Sequence, residues 1–135
     1  MNGGTILVDN NALADFFVGK EDFKRDAEKL RRKFPDWVAP PLIRYEFGNV
    51  LRTYVRCGYI SQDDGMEMLR LGLSMVRFCE ECAEEVILEE ANASSLTFYD
   101  ATYSSCARRQ GYELFTRDGD ILRSCPEFAR SILSV

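Results

Sequence analysis

The sequence predicts an α/β fold in which helices cover a sheet of short parallel strands. The chain opens with an apolar run at residues 5–8 that passes through a polar turn into a helix, and further short apolar runs alternate with segments of helical periodicity. No repeat, linker or low-complexity stretch interrupts this pattern. Because 135 residues with 46% hydrophobic content can build one core, we expect a single domain over residues 1–135.

The first third of the chain is expected to supply two strands and two helices. Residues 5–8 have the pattern of a buried strand, and Asp9 offers N-cap chemistry to the helix that follows. Residues 21–33 are heavily charged with an apolar stripe, which is typical of an outer helix that faces solvent. A brief strand is predicted at residues 37–39, and Pro40 ends it.

The middle of the chain predicts two helices and a third strand. The first helix should cover residues 41–57, and Ser61 with Asp64 resembles a capping box that opens a second helix through Val76. A short strand is expected at residues 77–79. The apolar stripe of the first helix consists of Ile43, Phe47, Val50, Leu51 and Tyr54.

The last third predicts two helices, a fourth strand and an edge strand. An acidic helix at residues 83–91 is followed by an expected loop at 92–95. A second helix is predicted at 99–110, where a glycine ends it, and then a strand at 112–116. Residues 131–135 are expected to add a last edge strand.

The composition restricts the chemistry available to this protein. The chain contains no histidine, which excludes Ser-His-Asp and Cys-His triads, HExxH zinc sites and catalysis by imidazole. Carboxylates must therefore perform any acid-base or metal chemistry. The formal net charge of −5 is unlike that of a protein that binds nucleic acid by bulk attraction, so such binding must be local or bridged by metal.

The sequence shows no sign of export or of membrane insertion. No apolar run approaches the length of a membrane span, and residues 1–9 lack the basic start and apolar body of a signal peptide. We expect a cytoplasmic protein. The five cysteines are odd in number and irregularly spaced, which does not suggest a disulfide framework. Cys79 and Cys82 form a C-x-x-C pair with no second pair or histidine to complete a zinc site, and we interpret it as structural or incidental.

Two acids lie just beyond the carboxyl ends of predicted strands. Asp9 comes after residues 6–8 and Asp118 after residues 114–116, which is where open α/β sheets place their ligand sites. Each has another interpretation when taken alone, since Asp9 can be a helix cap and Asp118 a turn residue.

Two further acids lie on predicted helices. Glu46 borders an apolar stripe, so its carboxylate is partly desolvated and needs a cation or hydrogen bonds; alternatively it reaches solvent or pairs with Arg44 or Asn49. Asp100 begins a helix, where an N-cap role also fits. Because Mg²⁺ and Mn²⁺ prefer oxygen ligands and clustered carboxylates repel one another without a cation, the four acids together favour a metal site.

The order and spacing of these acids resemble a known family. The matching motifs are a strand followed by Asp-Asn-Asn at 6–11, a proline loop leading to a helical Glu at 41–46, an Asp-Ala at 96–101 and a strand ending Thr-x-Asp at 114–118. This set is similar to the PIN domain, and within that family to the single-domain VapC-type toxins. One departure is Asn10, where the family usually has Thr.

The resemblance implies a three-layer α/β/α fold with a short, mostly parallel central sheet, and a metal-dependent endoribonuclease that cleaves RNA with an activated water. In this interpretation Asp9, Glu46, Asp100 and Asp118 bind Mg²⁺ or Mn²⁺ and carry the catalysis. The other expected site residues are Asp120 as an auxiliary acid, Thr116 and Asn11 as polar supports, and Arg44, Arg108 and Arg117 as contacts to RNA phosphates.

The resemblance also implies a homodimer and, for a toxin of a type II toxin-antitoxin pair, a small antitoxin partner. Two alternatives stay open: a PIN-like binding or regulatory module without turnover, and a free-standing RNA-processing nuclease. Two phosphoryl-transfer classes of similar architecture are excluded. A haloacid-dehalogenase-type phosphatase needs an Asp where Asn11 stands, and a response-regulator receiver needs a late lysine, whereas no lysine follows Lys33.

Overall fold

The computed structural model describes residues 4–135 and contains a five-stranded parallel sheet with helices against its faces. The predicted α/β class with its short parallel sheet is therefore confirmed. The strands are β1 (Thr5–Val8), β2 (Asp36–Ala39), β3 (Val76–Phe78), β4 (Leu114–Thr116) and β5 (Ala129–Ser131). Their order across the sheet is β3-β2-β1-β4-β5, and every neighbouring pair is parallel.

Helices connect the strands and pack in consecutive pairs, α1 with α2, α3 with α4 and α5 with α6. None of the helices within residues 4–135 is both long enough and apolar enough to cross a bilayer. The helices are α1 (Asn10–Val18), α2 (Glu21–Lys33), α3 (Ile43–Arg56), α4 (Gln62–Ser74), α5 (Glu84–Ser94), α6 (Phe98–Gln110) and α7 (Gly119–Ser124), and a 3₁₀ turn (Ile132–Ser134) follows β5.

The sheet reverses its winding direction between β1 and β4. From β1 the chain moves outward through β2 to β3, then returns to place β4 on the other side of β1, with Leu7 opposite Leu114 and Val8 opposite Phe115. In open α/β sheets such a switch point leaves a crevice beyond the carboxyl ends of the two strands, because the connecting helices leave in opposite directions. The fold thus predicts a ligand site directly after β1 and β4.

The sheet is buried from both sides. Ile6, Leu7 and Val8 of the central strand are at most 1% exposed, which is typical of a parallel strand covered by helices on both faces. Trp37 of β2 and Phe47 of α3 are among the largest fully buried side chains. This packing gives the strand ends a rigid base.

Two helix boundaries differ from the prediction. α3 begins at Ile43 rather than at residue 41, because Pro40 and Pro41 lie in a turn whose carbonyls accept the first amide hydrogens. Residues 92–94 belong to α5 instead of a loop, since the packing of α5 against α6 overrides their weak helix propensity. α5 ends at Ser94, and its C-cap Ser95 adopts a left-handed φ of 55°.

Three other elements also differ from the prediction. Val76 is the first residue of β3, where it pairs with Trp37, rather than part of α4. The edge strand lies earlier than the predicted 131–135, since Ala129 pairs with Leu114 in β5. The residues after Ser131 form the 3₁₀ turn. α7 was not predicted, because six residues are too few to show a helical period.

Candidate metal centre

Asp9 stands at the carboxyl end of β1 and caps α1. Its Oδ1 accepts the backbone N–H of Asn11 at 2.9 Å, and its Oδ2 accepts a short hydrogen bond from the Thr116 hydroxyl. The side chain is buried, and this burial raises the pKa of Asp9 to about 7, with the charges of Asp118 and Asp100 acting in the same direction. Asp9 therefore caps α1 and can at the same time take part in a ligand site.

Asp118 lies two residues beyond β4 and caps α7. Its carboxylate accepts the N–H of Asp120 at 2.8 Å and that of Ile121 at 3.4 Å. The N–H of Asp118 in turn donates to Thr116 Oγ1 at 2.9 Å. Because the Thr116 hydroxyl also donates to Asp9, this one buried side chain joins the acids at the ends of β1 and β4.

Glu46 lies in the first turn of α3, half-buried, and accepts a hydrogen bond of 2.6 Å from the Tyr103 hydroxyl. Burial raises the pKa of Glu46, and the Tyr103 hydrogen bond opposes that effect. Glu46 does not pair with Arg44, which was one of the alternatives, since the Arg44 guanidinium donates to the carbonyl of Pro41. Sequence reasoning missed Tyr103; its only local signal is its place one helical turn after Asp100.

Asp100 is the third residue of α6. The N-cap of this helix is Thr97, whose Oγ1 accepts the Asp100 N–H at 3.0 Å, so the expected alternative of Asp100 as the cap is wrong. Burial, followed by the charge of Asp118, raises the pKa of Asp100 to about 6. Its carboxyl group lies against that of Asp118.

The four acids face one cavity of about 120 Å³ at the switch point of the sheet. The same cavity is lined by Asn10, Asn11 and Tyr103, so its described lining holds carboxylates and no basic side chain. Asn10 Oδ1 is buried and has no hydrogen-bond partner among the described residues. A hard cation bound here would offset the negative charge of the carboxylates. It would also give Asn10 Oδ1 a partner, because such cations take oxygen ligands.

The oxygen atoms that line the cavity are therefore ligands of the kind that Mg²⁺ and Mn²⁺ prefer. They do not yet surround one point as the ligands of a bound ion do. Within residues 4–135, no three acidic or cysteine side chains stand in the spacing of a metal-binding group. Binding would thus draw in side chains that the fold has brought to the same cavity.

Asp120 lies outside this lining. Its side chain is 68% exposed and pairs with Arg123, and its contact with Asp118 comes from its backbone N–H. Asn11 likewise supports Asp9 through its backbone N–H, and only Thr116 does so through its side chain. The auxiliary role expected for Asp120 stays a prediction.

The three arginines expected to contact substrate are placed differently from one another. Arg44 lies over the rings of Tyr45 and Phe78 and lines a separate cleft of about 400 Å³. Arg108 pairs with two carboxylates, those of Glu90 and Glu127, on another part of the surface. Arg117 pairs with Asp15. None of the three lines the acidic cavity.

The cysteines are free thiols of mixed exposure. Cys106 and Cys125 are buried, whereas Cys57 is exposed. Cys79 and Cys82 are partly buried near Cys106, whose hydrogen bond is the main cause of a lowered Cys79 pKa. This cluster lies outside the lining of the acidic cavity.

Comparisons with known proteins match this chain to one family. The family model of the PIN domain matches residues 6–125. The curated protein Exonuclease VapC9 of Pyrobaculum aerophilum is 33% identical over 116 residues, which cover 86% of this chain and 82% of that protein.

Solved structures share the fold over nearly the whole chain. PAE2754 from Pyrobaculum aerophilum superimposes with a TM-score of 0.78 at 26% identity and covers 96% of this chain and 90% of its own. A toxin-antitoxin complex from Klebsiella pneumoniae gives a TM-score of 0.73 at 19% identity, over 94% and 97% of the two chains. At that identity the second likeness concerns the fold alone.

Proposed function

Because the chain belongs to the PIN-domain family, we propose that it is a metal-dependent endoribonuclease with the acidic cavity as its active site. The observation that carries the proposal is the convergence of Asp9, Glu46, Asp100 and Asp118 on one cavity at the switch point of the sheet. Exonuclease VapC9 bears a nuclease name, which supports phosphodiester hydrolysis as the reaction class.

The four carboxylates are the residues that would hold the metal. A bound Mg²⁺ or Mn²⁺ supplies a water of lowered pKa for attack on phosphorus and offsets charge on the leaving oxygen. The metal also explains how a chain of net charge −5 can accept a phosphodiester at an acidic site. This chemistry needs no histidine and no covalent intermediate on the protein.

The residues around the acids hold them in place before substrate arrives. Thr116 joins Asp9 to the end of β4, and backbone N–H groups at two helix N-termini bind the carboxylates of Asp9 and Asp118. Such anchoring reduces the side-chain entropy that ligand binding would otherwise cost. We propose Arg44 as the contact to an RNA phosphate, because it is exposed beside Tyr45 and Phe78 and, unlike Arg108 and Arg117, forms no ion pair among the described residues.

We extend the proposal to the biological assembly. The resemblance to VapC-type toxins favours a homodimer and a small antitoxin partner, and a protein of the same fold has been solved in a toxin-antitoxin complex. A free-standing RNA-processing nuclease is the alternative. The reading frame beside the gene distinguishes the two, because an antitoxin is expected to be encoded there.

The test is cleavage of labelled linear RNA and of closed circular RNA by the purified protein in Mg²⁺, Mn²⁺ or EDTA. Asp9→Asn is measured beside Asp22→Asn, which changes an acid that is 83% exposed on α2. Opening of the circle with metal, lost in EDTA and in Asp9→Asn but kept in Asp22→Asn, would establish the endonuclease. Degradation of linear RNA alone would make the protein an exonuclease. If the protein cuts neither RNA and calorimetry detects no metal binding, the enzymatic proposal fails and a PIN-like binding module remains.

A further inference from the structure

The hydroxyl of Tyr103 links two helices that each contribute an acid to the cavity. It donates at 2.6 Å to Oε1 of Glu46 on α3, 57 residues away in sequence, and its own helix α6 also carries Asp100. Tyr103 is 2% exposed and lines the acidic cavity. We propose that Tyr103 is a positioning residue that aims the Glu46 carboxylate into the cavity. This inference rests on the proposed metal site.

Glu46 needs such a partner more than the two strand-end acids do. Asp9 and Asp118 have short side chains that accept backbone N–H groups of the helices they cap. Glu46 has a longer side chain within α3, and its side-chain hydrogen bond comes from Tyr103. Immobilising a Glu side chain costs rotamer freedom, because the long side chain has several rotatable bonds. A donor already in place lets the metal bind without that cost.

Tyr103 is well suited to act as a fixed donor. It lies within the stretch of α6 from Ala101 to Ala107, all of which is buried, so the phenol ring has little freedom to turn. One hydroxyl proton on Oε1 leaves Oε2 of Glu46 available to a cation. A tyrosine needed only to fill the core would use its ring, and its hydroxyl would then be dispensable.

The test is Tyr103→Phe, which keeps the ring and removes the hydroxyl. Mn²⁺ affinity is measured by calorimetry, and kcat and KM for RNA are measured across Mn²⁺ concentrations. We expect Mn²⁺ affinity to fall by about 10- to 100-fold. kcat should fall at low Mn²⁺ and recover at high Mn²⁺, with KM for RNA unchanged. Tyr54→Phe is the matched control on α3, because its ring packs against Tyr59 away from the cavity lining.

The outcomes separate this inference from the proposed function. If Tyr103→Phe binds Mn²⁺ as the unaltered protein does while both cut RNA, the positioning role is overturned and the nuclease stands. If the unaltered protein binds Mn²⁺ and Tyr103→Phe binds it more weakly, but neither cuts RNA, the positioning role stands and the nuclease falls. If added Mn²⁺ fails to restore kcat in a folded Tyr103→Phe protein of reduced affinity, the hydroxyl does more than orient Glu46 and the inference is overturned.

Discussion

Arg117 donates two hydrogen bonds, of 2.6 and 2.9 Å, to the carboxylate of Asp15. The ring of Phe23 lies 4.0 Å from the guanidinium carbon, so the side chain is held between α1 and α2. Because Arg117 directly precedes Asp118, this pair connects the segment that carries one cavity acid to the helix that Asp9 caps. Arg117 is thus engaged in the fold, although its sequence position suggested a phosphate contact.

Replacing Arg117 with Ala should destabilise the protein. Asp15 has a side chain that is 6% exposed, so removal of its partner leaves a buried carboxylate without a countercharge. We expect a loss of about 2–4 kcal/mol in the free energy of unfolding, measured by urea denaturation. Arg123→Ala is the control, since its pair with Asp120 is exposed and should contribute under about 1 kcal/mol. Equal small losses in both variants would contradict the structural role of Arg117.

Asp118→Asn should stabilise the metal-free protein and weaken its response to metal. Asn retains the N-cap hydrogen bonds to α7 and removes a negative charge beside Asp100. We expect a Tm in EDTA higher by about 3 °C, from relief of ~1 kcal/mol of repulsion. Mn²⁺ should raise the Tm of the unaltered protein far more than that of the variant, because only the intact set of acids binds it well. A lower Tm in EDTA with an unchanged Mn²⁺ effect would contradict this account.

Asp36 should give a stability contribution that is lost in acid. Its carboxylate accepts two hydrogen bonds from Arg77, of 2.9 and 2.8 Å, and one of 2.6 Å from Thr5. The Arg77 hydrogen bond, followed by that of Thr5, lowers the pKa of Asp36 from 3.8 to about 2. For a carboxyl with a lowered pKa, the contribution is present above the unfolded value and is lost as the pH falls toward the folded value.

The measurement compares unaltered protein with Asp36→Asn from pH 7 to pH 3 by thermal unfolding. The variant should be less stable at pH 7, and the difference between the two proteins should shrink once the pH falls below about 4. A difference that stays constant down to pH 3 would show that Asp36 acts through something other than its charge.

Gly72 should not tolerate a methyl group. A Cβ at this position of α4 would lie 2.5 Å from Cε2 of Phe47, whose ring is fully buried and cannot move aside. We expect Gly72→Ala to cost about 1–3 kcal/mol, measured by urea denaturation. Gly48→Ala is the matched control in α3: its Cβ would meet nothing within 4 Å, and the better helix propensity should stabilise by about 1 kcal/mol. Equal effects of the two substitutions would contradict this packing.

Much of the fold follows from local signals in the chain. The structure has the predicted bounds for the strand at residues 5–8 and for the helix at 21–33. The Ser61 hydroxyl caps α4 as predicted, by accepting the backbone N–H of Asp64. Errors fell where local signals conflict with packing. Residues 92–94 have weak helix propensity yet complete α5 against α6, and α7 is too short to show periodicity.

The sequence by itself singled out Asp9, Glu46, Asp100 and Asp118 through the order and spacing of four short motifs, although each acid taken alone had another interpretation. Only the tertiary structure decided what holds them. Tyr103 meets Glu46 across 57 residues, and Thr116 meets Asp9 across 107. It also decided that Arg117 pairs with Asp15. The physical reason is that hydrophobic period and capping chemistry act over a few residues, whereas these hydrogen bonds depend on how separate helices and strands pack.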